Sequence, residues 1–135
     1  KDKKDSIHLK TIPDSNSEWK DDDLNNKWKR IRYIRSLVLS EIEEVRNKNI
    51  IKSSLQASVE ITLGQEDRNL FKNLIAADLF ITSEVNFLIE EVQTPIVKIS
   101  SSSGNKCDRC WKILAEVKED GICKRCSNVI KKHYS

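Results

Sequence analysis

The chain has 135 residues, with 24 Lys and Arg against 21 Asp and Glu and a formal net charge of +3. It is therefore not a strongly basic protein, and any affinity for nucleic acid must come from local clustering of charge. Its length suffices for one modest core plus a small further module, no apolar run approaches the ~20 residues of a membrane span, and no signal peptide is visible. Methionine is absent altogether, so the sequence reads as a piece of a longer protein, expected in a reducing, cytoplasmic compartment.

Residues 1–20 are polar and aperiodic, and Pro13, Ser15, Asn16 and Ser17 predict a loop. Asp21, Asp22 and Asp23 supply capping carboxylates for a helix over about 22–48. Leu24, Trp28, Ile31, Ile34, Val38, Ile42 and Val45 recur at three- and four-residue steps, which defines one apolar face. Trp28 belongs to that face and is expected in the core. The polar surface of this helix is itself polarised. Lys27, Lys29, Arg30, Arg32 and Arg35 occupy its first half, and Glu41, Glu43 and Glu44 its second. This order opposes the helix dipole, so helix stability does not explain it. Lys27 and Arg30 are candidate contacts for a polyanion; a solvated face or internal pairing competes with that reading.

Ala57–Leu63 alternates apolar and polar residues and predicts a half-buried strand ended by Gly64. Gln65–Ile75 predicts a short helix with Leu70, Phe71, Leu74 and Ile75 facing inward. Leu79–Thr82 predicts a second strand, part of 85–92 is strand, and Ile96–Ile99 is a third. The expected fold class is α+β: a long helix, a small sheet-plus-helix domain, and a C-terminal four-cysteine zinc-knuckle or ribbon module. The expected divisions are 1–48, 49–104 and 105–135, with Ser100–Ser103 and Gly104 as a flexible joint.

The four cysteines are Cys107, Cys110, Cys123 and Cys126, two Cys-x-x-Cys pairs separated by twelve residues. That spacing suits one structural zinc, because each pair aims two sulfurs at a single point and two pairs complete a tetrahedron. A redox Cys-x-x-Cys needs only one pair beside a βαβ pattern, and a disulfide framework belongs to small secreted chains. With four thiolates in place, His8 and His133 are not needed as ligands. The zinc tetrathiolate centre would be dianionic, and Lys106, Arg109, Lys124 and Arg125 can balance it. Arg109 and Arg125 occupy the same position of each pair. Trp111 follows Arg109 closely, and an exposed aromatic beside a guanidinium is a surface on which unpaired bases stack. The competing reading of Trp111 is a lid over the metal knuckle. Trp19, in polar sequence, has no assigned role.

Lys106-Cys-Asp-Arg-Cys-Trp111 with Gly121-Ile-Cys-Lys-Arg-Cys126 resembles the C-terminal zinc module of bacterial isoleucyl-tRNA synthetases. Asp5-Ser-Ile-His-Leu9, the helix from Arg32 to Asn47, and Lys52-Ser-Ser-Leu-Gln-Ala57 resemble successive upstream stretches of the same family, though Ser53 and Ser54 depart from its Gly-Lys-Ser approach. The resemblance implies the end of an anticodon-binding domain, a junction, and a zinc module that grips the tRNA anticodon stem and loop, with Arg109 and Trp111 at the anticodon. It further implies a parent class I ligase, monomeric, joining isoleucine to tRNA with ATP and Mg2+ in a catalytic domain outside this chain. No catalytic residue is expected here, and the partners are tRNA and the rest of the parent chain. The alternative is a zinc-ribbon adaptor for nucleic acid or protein, unrelated to a synthetase.

Overall fold

The computed structural model describes residues 7–118 and 121–134. Asp5 and Ser6 of the first family-like stretch lie outside them. From residue 7 to 20 the chain is irregular apart from single 3-10 turns at Ile7–Leu9 and Ser17–Trp19, and Trp19 is exposed.

Helix α1 spans Asp22–Asn47. Asp21 caps it, its Oδ1 accepting the Leu24 N–H at 2.8 Å. Beyond its last residue the helix is stopped by Asn49, which adopts φ 57° while the amides of Asn49 and Ile50 return to the carbonyls of Arg46 and Val45. This is a left-handed stop in which Asn takes the place usually held by glycine. Ile31, Ile34, Val38 and Ile42 are buried; Trp28 and Val45 are partly buried against the same core, and Leu24 remains exposed.

Strand β1 is Ala57–Leu63, as the alternation predicts. It is central in a three-stranded sheet ordered β2-β1-β3, with β2 at Glu84–Ile89 and β3 at Ile96–Ser101. β1 runs parallel to β2 and antiparallel to β3. Helices α2 (Gln65–Leu70) and α3 (Ala76–Leu79) form the crossover between the parallel strands. Val59, Ile61 and Leu63 of β1 share a face with Val85 and Phe87 of β2 and with Val97 and Ile99 of β3, and α1 packs on that face. Phe71 meets Phe80 edge-on, with ring centroids 5.8 Å apart, and lies 5.3 Å from Phe87. The opposite face carries Ser58, Glu60 and Thr62, and Glu60 pairs with Lys98 across the β1–β3 ladder.

Three expectations are corrected. Leu79–Thr82 is not a strand: Leu79 closes α3, and Ile81 adopts φ 59°, which no strand tolerates. Phe80 and Thr82 are buried but Ile81 is half exposed, so the apolar run marks a tight turn that tucks Phe80 inward. The helix predicted over 65–75 breaks after Leu70 and restarts at Ala76, leaving Ile75, the residue before α3, 67% exposed. The serine-rich stretch is not a free joint. Ser100 and Ser101 belong to β3, the Ser102 amide donates to the Gln56 carbonyl at 2.8 Å, and Gly104 is held at φ 112°.

Candidate metal centre

The four cysteines converge because a short hairpin and the start of a helix meet. Strands β4 (Asn105–Lys106) and β5 (Ile113–Leu114) pair antiparallel and leave residues 107–112 as the turn between them. The Cys107 amide donates to the Lys112 carbonyl at 2.9 Å, and the Trp111 amide to the Cys107 carbonyl at 2.8 Å. Gly104 is required at the start of this hairpin: a Cβ there would stand 2.4 Å from the Leu114 carbonyl carbon, and the φ is left-handed. Helix α4 spans Lys124–Tyr134, with Cys123 just before it and Cys126 in its first turn. Glu116 caps it from outside, its Oε1 accepting the Lys124 amide at 3.0 Å. Val117 and Leu114 close the small apolar floor beneath the sulfurs.

All four Sγ atoms lie within 4.8 Å of one another. Cys110 and Cys123 are 3.8 Å apart, which matches the edge of a tetrahedron whose metal–sulfur bonds are about 2.3 Å. The cysteines are free rather than paired as disulfides. The Cys123 amide donates to Cys107 Sγ at 3.3 Å and the Cys126 amide to Cys123 Sγ at 3.5 Å, and such donors stabilise thiolates. Burial pushes the Cys107 thiol up, but the backbone amides around it outweigh burial and hold it at about 6. Burial also pushes Cys110 up, to about 12, with the neighbouring thiols adding to the rise, and raises Cys123. Cys107 ionises readily, whereas burial makes Cys110 and Cys123 resist ionisation. A cation is what lets all of them ionise together, so the donor set fits a soft divalent metal ion such as zinc.

The predicted site residues fall into two places. Arg109 and Trp111 sit on the hairpin turn. The Arg109 guanidinium lies 3.8 Å from Cys126 Sγ, so its charge faces the sulfur cluster. Arg125 instead lies near Asp78 of α3. The sequence repeat of the two knuckles is thus not a structural repeat, because one arginine sits on a turn and the other in a helix. Trp111 is 60% exposed, with Lys106 Nζ 5.3 Å from its ring centroid. Its φ of 65° is left-handed, a region a bulky side chain enters only under constraint from its surroundings.

Lys27 and Arg30 lie elsewhere, in a crevice at the carboxyl end of β1 also lined by Gly64, Glu66, Asp67 and Glu91. Arg30 makes a two-pronged contact with Asp67 at 2.8 and 2.7 Å. Arg35 donates to the Leu79 carbonyl at 3.0 Å. Lys29 and Arg32 are exposed on α1.

Three residues carry no signal in the sequence. Lys112, directly after Trp111, pairs with Asp78 at 2.6 Å, and the Ile113 amide donates to Ser83 Oγ at 2.7 Å. Asp78 and Ser83 lie beyond the hairpin, in the crossover between β1 and β2, and a long-range polar contact of this kind leaves no periodic pattern.

Among the described residues, no helix is long and apolar enough to cross a membrane. No family model matches the chain. It is similar to the isoleucine–tRNA ligase of Gluconobacter oxydans, 39% identical over 93% of this chain and 14% of that protein. The isoleucine–tRNA ligases of Geobacter sulfurreducens and Zymomonas mobilis are 34% and 32% identical, over 93% of this chain and 15% and 13% of their own lengths. The chain thus spans about one seventh of the length of these curated relatives.

Proposed function

We propose that this chain, which is similar over nearly all of its length to isoleucine–tRNA ligases, is the C-terminal part of such an enzyme and grips the tRNA anticodon stem and loop. The observation that carries the reading is Trp111. An exposed indole held in a left-handed turn, with a lysine against its ring and a metal-binding knuckle beneath it, is a rigid platform for an unpaired base. One structural zinc on Cys107, Cys110, Cys123 and Cys126 stiffens that platform. The similarity runs through α1 and the sheet as well as the cysteines, which an unrelated zinc-ribbon adaptor does not account for.

Residues 1–48 then complete the helical anticodon-binding domain, 49–104 form the junction, and 105–135 form the zinc module. Joining isoleucine to tRNA with ATP and Mg2+ belongs to the parent outside this chain, acting as a cytoplasmic monomer. The test is tRNA footprinting with the full-length enzyme and with a form lacking 105–135. Protection of the anticodon loop should vanish in the truncated enzyme while protection elsewhere and ATP-dependent isoleucine activation persist. An unchanged anticodon footprint would reject the reading.

The basic half of α1 adds affinity that does not depend on sequence. Arg30 is paired with Asp67 and Arg35 with the Leu79 carbonyl, so the phosphate contacts fall first to Lys27, Lys29 and Arg32. Replacing Lys29 and Arg32 by Ala should lower the log–log salt slope of tRNA binding by about one unit or slightly less for each phosphate no longer neutralised. A slope that does not move would assign these residues to a solvated face. Arg30→Ala should instead cost fold stability by about 1 kcal/mol or more, because it strands Asp67 without its partner.

A further inference from the structure

The two residues that follow Trp111 both reach out of the zinc module. Lys112, 15% exposed along its side chain, closes on Asp78 of α3 at 2.6 Å. The Ile113 amide donates to the hydroxyl of Ser83 at 2.7 Å. Ser83 is 4% exposed and fully committed: its own amide donates to the Ala57 carbonyl at 3.1 Å, and its hydroxyl donates to the Leu55 carbonyl. One buried side chain therefore joins the approach to β1, the start of β2 and the first residue of β5. Arg125, at the start of α4, adds a second cation near Asp78. On the far side of the hairpin, Ser102 is tied to Gln56 and Gly104 is pressed against the Leu114 backbone.

A metal centre fixes the shape of the knuckle but not its direction in space. Direction requires contacts outside the knuckle, and those made by the hairpin turn itself begin one residue after Trp111. Resting on the anticodon reading, we infer that Ser83, Asp78 and Lys112 are positioning residues: they lock the zinc module to the sheet so that the Trp111 ring is aimed at the tRNA before it arrives. Such preorganisation raises affinity without touching the ligand, since no ordering cost remains at binding.

The experiment uses the full-length enzyme with Ser83→Ala, Lys112→Met and Lys112→Arg, each with Trp111 present and with Trp111→Ala. Zinc content, hydrogen exchange at the Ile113 amide and tRNA affinity are read on the same preparations. Ser83→Ala and Lys112→Met should keep their zinc, speed Ile113 exchange, and weaken tRNA binding by about tenfold when Trp111 is present but by less than about twofold when it is Ala. Lys112→Arg should retain the affinity. Lys112→Met also covers the case in which Ser83→Ala disturbs folding, because its side chain lies at a partly exposed contact. Faster Ile113 exchange with unchanged affinity would overturn the proposal, as would an equal drop in affinity with and without Trp111, or exchange that does not change. If Trp111→Ala alone leaves affinity intact, the anticodon reading falls and takes this proposal with it, a result distinct from the others because the Ser83 and Lys112 variants are not needed to see it.

Discussion

Removing a metal ion held by the four cysteines should unfold the C-terminal module and leave α1 and the three-stranded sheet standing. Among the described residues the module has almost no core of its own: Val117 and Leu114 lie against the sulfurs, and little else there is apolar and buried. Binding free energy for structural zinc in modules of this size is about 10–16 kcal/mol near neutral pH, and it is folding free energy, since no site exists in the unfolded chain. The main core, by contrast, draws on Ile31, Ile34, Val38, Ile42, Val59, Ile61, Leu63, Phe71 and Phe80, none of which depends on the cysteines. Chelation under reducing conditions should abolish hydrogen-exchange protection at Trp111 and Ile113 and preserve it through β1. Metal affinity should rise with pH, because binding must drive protons off thiols such as Cys110, which burial holds at about 12. Protein purified without chelator that contains no zinc, or native disulfides between the pairs, would defeat this account. So would unfolding of the sheet together with the module.

Trp111→Ala in the full-length enzyme should weaken tRNA binding by about 1–3 kcal/mol, the value of one base stacked on an aromatic ring. Zinc content should be unchanged, because the ring is 60% exposed and is not part of the floor beneath the sulfurs. Trp111→Gly separates backbone from ring. Glycine adopts φ 65° without strain, so this variant should be more stable than Trp111→Ala by about 1 kcal/mol while binding tRNA equally poorly. A lid over the knuckle predicts the reverse order, with zinc released first and tRNA affinity falling only in consequence. Arg109→Ala should lower tRNA affinity too but also ease metal release, since its guanidinium faces Cys126 Sγ. Arg125→Ala is its comparison at the equivalent sequence position. Isoleucine activation should be untouched in all of them. A Trp111→Ala enzyme with full zinc and full tRNA affinity would leave neither model standing.

Local pattern made much of this fold legible. The stripe from Trp28 to Val45 and the capping Asp21 place α1 nearly to the residue, because helix period and caps are local physics. Strand β1 follows from its alternation, and the clustering of the four cysteines from their spacing. What stayed hidden depends on backbone choices that side-chain hydrophobicity does not encode. Leu79–Thr82 is as apolar as a buried strand, yet Ile81 turns left-handed and the run becomes a corner. Arg109 and Arg125 look equivalent in sequence, but a turn holds one and a helix the other, so one faces sulfur and the other a carboxylate. Ser83, Asp78 and Lys112 were invisible because their contacts span about thirty residues.

The central position of β1 has a consequence for biosynthesis. Both of its neighbours are made after it, and β3 ends only at Ser101. The apolar face of α1, finished at Asn47, can bury itself fully only when those strands exist. At roughly 5–20 residues per second, the ribosome takes roughly 3–10 s to extend the chain from Asn47 to Ser101. Through that interval the face carrying Ile31, Ile34, Val38 and Ile42 lacks part of the sheet that covers it in the finished fold. The cysteine module is made after all three strands, so the sheet it docks on can already be closed.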